Sequence, residues 1–229
     1  MKVELLYHTP LWVASKAIRK CWSSEDKSDT YNTDDNIGTK DRELIERVGN
    51  KNKHSSTLEH LNYSFDIDGI SRACLQELAR HRHASMSVKS TRYTLKELRD
   101  EEPFIVPISD FGNEYAIERA KTYLVLPPHA NRYDKVWQGQ VKTLELLREE
   151  LTYSKDSNDV LKYMLPESYK TSLMWTINAR SLQNFLSLRT DKSALWEIRD
   201  LANEIYTQLP EEHKYLFVDF IKEYNEQPH

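Results

Sequence analysis

Glycine is scarce in this chain, with five residues among 229, and the five are widely separated. Neither the glycine pattern of dinucleotide-binding folds nor that of a P-loop can be drawn through them. Any nucleotide or flavin must therefore be held by side chains and by the ends of helices.

Cysteine and long apolar runs are also missing. Cys21 and Cys74 are too few for a disulfide framework or a cysteine-rich zinc site, and each lies in an apolar helix-like pattern typical of a small buried residue. No apolar run reaches the roughly 18 residues of a membrane span. The first residues, from Met1 to Tyr7, carry no small-residue cleavage signal of a secretory leader. We therefore expect a cytoplasmic protein without membrane contact.

The charge balance argues against a polyanionic partner. The formal net charge is −4, with 39% hydrophobic and 30% charged residues, which is typical of a globular domain with mixed surface charge. Nucleic-acid-binding domains are usually basic overall. The length fits a single domain over residues 1–229.

Hydrophobic periodicity indicates helices and a few strands. Alternation predicts strands over residues 2–8, 60–67 and 170–178. The main predicted helices cover residues 10–22, 42–48, 71–83, 113–154 (interrupted at Pro127-Pro128), 179–188, 194–208 and 211–224. This pattern predicts a mixed α/β or α+β fold in which helices predominate.

The most informative stretch is a basic run over residues 80–92. It begins Arg80-His81-Arg82-His83 and continues with hydroxyl residues and two further cations. Such a cluster repels itself unless an anion lies within it, so it predicts a phosphate-bearing ligand. The alternative is a solvated basic end of the predicted helix over 71–83, where cations complement the helix dipole.

Two further blocks carry polar groups suited to a ligand. His54 to His60 contains two histidines and Glu59, but a separation of six residues between the histidines fits no common zinc pattern, so we expect no metal. In the predicted helix after Asn178, Arg189 continues an apolar stripe, and an arginine there needs a partner. Asp191 is a structural candidate for that partner, and a substrate carbonyl or imide is the functional alternative.

Taken together, these blocks resemble the flavin-dependent thymidylate synthases. Arg80-His81-Arg82, seven further residues and then Ser90 match the family signature, and Arg92-Tyr93 follow as in the family. The resemblance extends to the blocks His54–His60 and 178–191. It implies an α/β fold with a central sheet flanked by helices, and a homotetramer whose active sites lie between subunits.

The resemblance also implies a reaction and its residues. The implied reaction is reductive methylation of dUMP to dTMP, with methylenetetrahydrofolate as the carbon donor and NADPH as the reductant through FAD. The implied FAD-binding residues are Ser56, Arg80, His81, Arg82, Asn178, Arg180 and Asn184. The implied dUMP-binding residues are Glu77, Arg80, Val88, Lys89, Ser90, Thr91, Arg92, Lys162 and Arg189, with Arg189 as the catalytic group that stabilises ionised uracil N3.

Two positions depart from the family pattern. Many members carry an acidic residue at the position of Val88. This chain therefore lacks the nucleotide or flavin contact that such a residue could make. At the position of Lys162 many members carry an arginine. The lysine ammonium offers a point charge instead of the paired N–H donors of a guanidinium. Two rival hypotheses remain: a nucleic-acid-binding module that uses the basic run, and a nucleotide-binding relative without activity.

Overall fold

The computed structural model describes residues 1–30, 37–104, 114–127 and 135–222. It contains a sheet of four strands, namely β1 (Lys2–His8), β2 (Asn62–Ser71), β3 (Ala84–Val88) and β4 (Lys170–Asn178). Their order across the sheet is β1-β2-β4-β3, so strands distant in sequence are neighbours.

Helices account for most of the remaining regular structure. The α-helices are α1 (Trp12–Cys21), α2 (Thr39–Ile45), α3 (Arg72–Leu78), α4 (Thr91–Thr94), α5 (Lys96–Arg99), α6 (Glu114–Ala120), α7 (Lys135–Tyr153), α8 (Asn158–Leu161), α9 (Ala179–Arg189) and α10 (Trp196–Gln208). A π-helical turn covers Glu46–Lys51, and 3₁₀ turns cover Glu25–Lys27, Ser55–His60, Lys162–Met164, Glu211–Leu216 and Val218–Phe220. The predicted mixed fold of a sheet with flanking helices is confirmed.

Adjacent strands run antiparallel, as hydrogen bonds at their ends indicate. The Thr9 N–H donates to the Asn62 carbonyl (2.9 Å), which pairs the end of β1 with the start of β2. Similarly, the Ala179 N–H donates to the Leu61 carbonyl (2.8 Å), joining the end of β4 to the start of β2. Alternation along β2 buries one set of side chains, and β4 follows the same period.

The predicted helix over residues 71–83 is too long. Ser71 caps its start, because its hydroxyl accepts the N–H of Cys74 (3.0 Å), but α3 ends at Leu78. The N–H of His81 donates to the Leu78 carbonyl (3.0 Å) in a closing turn, and the chain then enters β3. Arg80 and His83, which the predicted helix included, therefore lie outside α3, because the chain turns after Leu78 and then pairs with the sheet as β3.

Other predicted boundaries are confirmed in part. The strands predicted over 2–8 and 170–178 match β1 and β4, and the strand predicted over 60–67 becomes the longer β2. The predicted helix over 113–154 is represented by α6 and α7, with Pro127 between them; Asn113 and Pro128 lie outside the described residues. The predicted helix over 211–224 is wrong, because 3₁₀ turns replace it up to Phe220; residues 223–224 lie outside the described part.

The chain divides into two compact units. The first unit comprises Met1–Ile67, Leu78–Ser87 and Met174–His229. In it, α9 packs on the 3₁₀ turn Ser55–His60 and on α10, and α10 packs on β1. Its core contains the fully buried aromatic residues Tyr63, Phe65, Trp175, Phe185 and Phe217.

The second unit comprises Asp68–Glu77 and Val88–Leu173. Its core surrounds α7, which contributes Trp137, Leu144 and Leu147, and α5, α6 and α8 pack against that helix. No helix in the described ranges is long and apolar enough to cross a membrane. The single domain expected over residues 1–229 stays a prediction.

Candidate functional site

A cavity of about 930 Å³ lies in the first unit. Its wall is made by the basic run after α3, by α9, by the segment after α9 and by Glu59. The lining residues are Glu59, Arg80, His81, Arg82, His83, Asn178, Arg180, Ser181, Asn184, Leu188, Arg189, Ser193 and Ala194.

The charge of this wall is predominantly positive. Four of the described lining residues are arginines, whereas Glu59 is the one carboxylate among them. Guanidinium groups bind phosphate and carboxylate through paired N–H donors. The cavity is therefore suited to an anionic ligand of substantial size.

The start of α9 is anchored by its cap. Asn178 precedes the helix, and its side-chain oxygen accepts the N–H of Ser181 (2.9 Å). This cap satisfies one of the N–H groups that have no partner inside a helix. Arg180 and Asn184 lie one turn apart on this helix, and both line the cavity.

Arg180 forms an ion pair at the edge of the cavity. Its guanidinium donates to the Glu59 carboxylate (2.6 Å), and both side chains are about half exposed, at 55% and 47%. Exposed ion pairs of this kind contribute roughly 0–1 kcal/mol. Glu59 therefore orients Arg180 without preventing it from binding a stronger anionic ligand.

Arg189 contacts the basic run directly. Its Nε donates to Nε2 of His81 (3.0 Å) across 108 residues of sequence. Asp191, the structural partner considered for Arg189, instead accepts the N–H (2.9 Å) and hydroxyl (2.7 Å) of Ser193. The Ser193 N–H, followed by its hydroxyl, holds the pKa of Asp191 below its ordinary value.

Seven residues that the resemblance assigned to FAD or uracil line this one cavity, namely Arg80, His81, Arg82, Asn178, Arg180, Asn184 and Arg189. The exposed side chain of Ser56 does not line the cavity, although Glu59 on the same 3₁₀ turn does. The resemblance assigned neither FAD nor dUMP contacts to six further lining residues: Glu59, His83, Ser181, Leu188, Ser193 and Ala194. The signal for Leu188 was available, since it lies one turn after Asn184 on α9.

The remaining predicted substrate residues belong to the second unit. Lys89 donates its backbone N–H to the Ser172 carbonyl (2.8 Å), and its ammonium pairs with Glu97 (3.0 Å). Arg92 pairs with Asp159 (3.1 Å). These pairs are exposed and weak, so both cations could exchange their carboxylates for a phosphate.

Other predicted members of that group lie in the same unit. Ser90 precedes α4, which begins at Thr91. Glu77 lies on α3, and exposed Val88 ends β3. Lys162 opens an exposed 3₁₀ turn.

The donors of the cavity fit a phosphate-bearing cofactor. Guanidinium groups, the amides of Asn178 and Asn184 and the hydroxyls of Ser181 and Ser193 supply directional hydrogen bonds. The volume lies within the roughly 300–1,000 Å³ of small-molecule sites. Within the described ranges, no group of three or more His, Cys, Asp or Glu side chains is placed to hold a metal ion.

Comparison with known proteins gives consistent matches along the chain. The family described as thymidylate synthase complementing protein matches residues 4–213. A flavin-dependent thymidylate synthase of Campylobacter jejuni (strain RM1221) is 59% identical over 217 residues, covering 95% of this chain and 96% of the relative. The enzyme of the same description from Helicobacter pylori (strain ATCC 700392 / 26695) is 52% identical over 222 residues, covering 97% and 100%.

A solved structure matches as well. The crystal structure of thymidylate synthase X from Helicobacter pylori with FAD and dUMP superposes with a TM-score of 0.86 at 51% identity, covering 97% of this chain and 100% of that chain. The sequence matches span nearly the whole chain, and the basic run and α9 supply the side chains of the cavity. The chain therefore belongs to the flavin-dependent thymidylate synthases.

Proposed function

We propose that this protein converts dUMP to dTMP by reductive methylation, with bound FAD, methylenetetrahydrofolate as the carbon donor and NADPH as the reductant. The observation that carries the proposal is the arginine-rich cavity, where the family's basic signature meets the block from Asn178 to Arg189. Relatives with more than half of their residues identical bear the same enzyme description.

The first unit would hold FAD. Arg80, Arg82 and Arg180 would bind its phosphates, while Asn178 and Asn184 would offer amide hydrogen bonds, and His81 and Ser56 are further assigned contacts. Bound FAD supplies hydride-transfer chemistry. The task of the protein is then to orient the reactants and to provide charge where the reaction needs it.

The proposal keeps the dUMP-binding residues that the resemblance implies. Lys89, Ser90, Thr91 and Arg92 would bind phosphate or ribose, with Glu77, Val88 and Lys162 as further assigned contacts. Arg189 would stabilise the negative charge of ionised uracil N3, which raises electron density in the ring. Attack on the ring by a cysteine is not part of the proposal, because Cys74 is buried and Cys21 lies on the surface of α1.

The assembly and the location are also proposals. The family resemblance supports a homotetramer with active sites between subunits, which light scattering on the purified protein would test. The low cysteine content supports a cytoplasmic location.

The decisive experiment is to purify the protein, record its flavin absorbance and measure dTMP formation. NADPH oxidation that requires both dUMP and methylenetetrahydrofolate supports the proposal. A flavin-free protein that FAD does not reconstitute refutes it. Flavin and dUMP binding without turnover identifies an inactive relative, and salt-sensitive DNA binding by a colourless protein identifies the nucleic-acid module.

Arg189→Ala tests the catalytic assignment. Loss of a positioned charge at a developing anion lowers kcat by roughly 100- to 1,000-fold. The matched control is Arg47→Ala, because Arg47 is an exposed arginine on the π-helical turn and outside the cavity lining. Full turnover in Arg189→Ala, or an equal loss of kcat in Arg47→Ala, would refute the proposed catalytic role of Arg189.

A further inference from the structure

His81 and Arg189 form a hydrogen bond whose proton positions follow from chemistry. A guanidinium group has only donors, so Nε of Arg189 must donate to Nε2 of His81 (3.0 Å). Nε2 must therefore carry a lone pair. The imidazole in this contact is neutral and bears its proton on Nδ1.

Buried aromatic side chains pack behind one side of the His81 imidazole. The ring of Phe185 meets His81 edge to face, with centroids 5.0 Å apart, and Trp175 meets Phe185 at the same centroid distance. Phe185 and Trp175 are fully buried. The His81 ring therefore has little freedom to turn away on that side.

Helix α9 supplies two side-chain contacts of His81. Phe185 and Arg189 are four residues apart, so their side chains lie on the same helical face one turn apart. One turn of α9 therefore presents a ring that supports the imidazole and a guanidinium that donates to it. A rotation of the His81 ring that moves Nε2 away from Arg189 would break this hydrogen bond.

We infer that His81 is a positioning residue for Arg189, holding the guanidinium through a neutral, Nδ1-protonated imidazole. The kinetic part of this inference rests on the proposed function, and its spectroscopic part does not. Protonation of Nε2 would place its N–H donor against the N–H donor of Arg189 and add a second positive charge beside the guanidinium. The two side chains would then separate.

The surroundings of the pair are predominantly cationic. Among the described residues that line the cavity, the other charged or titratable groups are Arg80, Arg82 and His83 on the segment of His81, Arg180 on α9, and Glu59 on the turn Ser55–His60. A second positive charge on His81 would therefore be added to a wall in which the described cations outnumber the carboxylate.

The direct test is the tautomer of His81, measured by long-range proton–nitrogen NMR of protein labelled with ¹⁵N-histidine. The signal is assigned by its loss in His81→Gln. We expect the Nδ1-protonated neutral form in the wild type and a shift towards the Nε2-protonated form in Arg189→Ala. An Nε2-protonated His81 in the wild type, or an unchanged tautomer in Arg189→Ala, overturns the inference.

The kinetic test compares two replacements in flavin-saturated protein. His81→Ala removes the acceptor and should lower kcat by roughly 10- to 100-fold, the range of a charge-assisted hydrogen bond. His81→Gln offers a carbonyl acceptor to the guanidinium, so its kcat should be higher than that of His81→Ala. Equal kcat in the two variants contradicts the positioning role of His81.

A matched pair of core substitutions distinguishes the support of His81 by Phe185 from a general loss of folding stability. Phe185→Leu and Phe217→Leu each remove a buried ring from the first unit, and Phe217 packs on Tyr63 rather than on His81. Both should destabilise the fold, but only Phe185→Leu should lower kcat several-fold. Equal kcat effects refute the supporting role. If wild type lacks synthase activity, the proposed function fails while the NMR result still decides this inference.

Discussion

His213 makes folding sensitive to mild acid. Its side chain is buried (1% exposed) at the 3₁₀ turn Glu211–Leu216, where Nδ1 lies 2.7 Å from the Tyr63 hydroxyl and the ring meets His8. Burial, followed by the nearby His8 and Arg42, lowers the pKa of His213 from 6.5 to about 3. The folded protein therefore keeps this imidazole neutral in mild acid.

The sign and size of the effect follow from proton linkage. An unfolded chain binds a proton on histidine near pH 6.5, whereas the folded protein binds it only near pH 3. Between these values the unfolded state holds the extra proton, so the free energy of unfolding falls as the pH falls. From pH 8 to pH 5, His213 alone should lower it by about 2 kcal/mol, at roughly 1.4 kcal/mol per pH unit below the unfolded pKa.

The measurement is urea unfolding of wild type and His213→Gln at several values between pH 8 and pH 5. Glutamine can still pair with the Tyr63 hydroxyl but does not titrate in this range. The variant should be less stable than wild type at pH 8, and its stability should decline by about 2 kcal/mol less on acidification. Parallel pH curves for the two proteins would refute the reasoning.

Tyr63→Phe identifies the physical cause. It removes the hydroxyl partner of His213 but leaves the imidazole buried. Since burial is the largest cause of the lowered pKa, this variant should lose about 1 kcal/mol at every pH and keep the wild-type slope. A flattened slope would assign the shift to the hydrogen bond instead.

Three further substitutions test the packing of the first and second units. Asp41→Asn should lower the free energy of unfolding by about 3 kcal/mol, because the buried Arg19 loses the charged partner of its Nε (2.6 Å). Gly38→Ala should cost roughly 1–3 kcal/mol, because a Cβ there would lie 2.6 Å from the Asp29 carbonyl oxygen. Gly139→Ala on α7 should instead stabilise by about 0.5–1 kcal/mol, since a Cβ there meets nothing within 4 Å.

Urea unfolding at neutral pH measures all three changes. Asp26→Asn is the control for Asp41→Asn, because Asp26 is exposed on the 3₁₀ turn Glu25–Lys27, and it should change the free energy of unfolding by less than about 0.5 kcal/mol. Similar losses for both aspartates would contradict the buried ion pair. Equal effects of the two glycine substitutions would contradict the close approach at Gly38.

The elements with strong periodicity were predictable from sequence, and the weakly patterned ones were not. Alternation identified β1 and β4, because half-buried strands repeat apolar residues with a period of two. Strand β3 was missed, since none of its residues Ala84–Val88 is buried and it lies at the edge of the sheet. Its pairing depends on β4, which is distant in the sequence.

The sequence by itself determined that the basic run needs an anion, because adjacent cations repel wherever the chain places them. It also predicted the helix over residues 179–188, because the apolar residues there repeat with a helical period. Only the tertiary structure decided the partners: Arg180 meets Glu59, and Arg189 meets His81 rather than Asp191. Hydrogen bonds act over about 3 Å, so they depend on where the fold brings distant segments together.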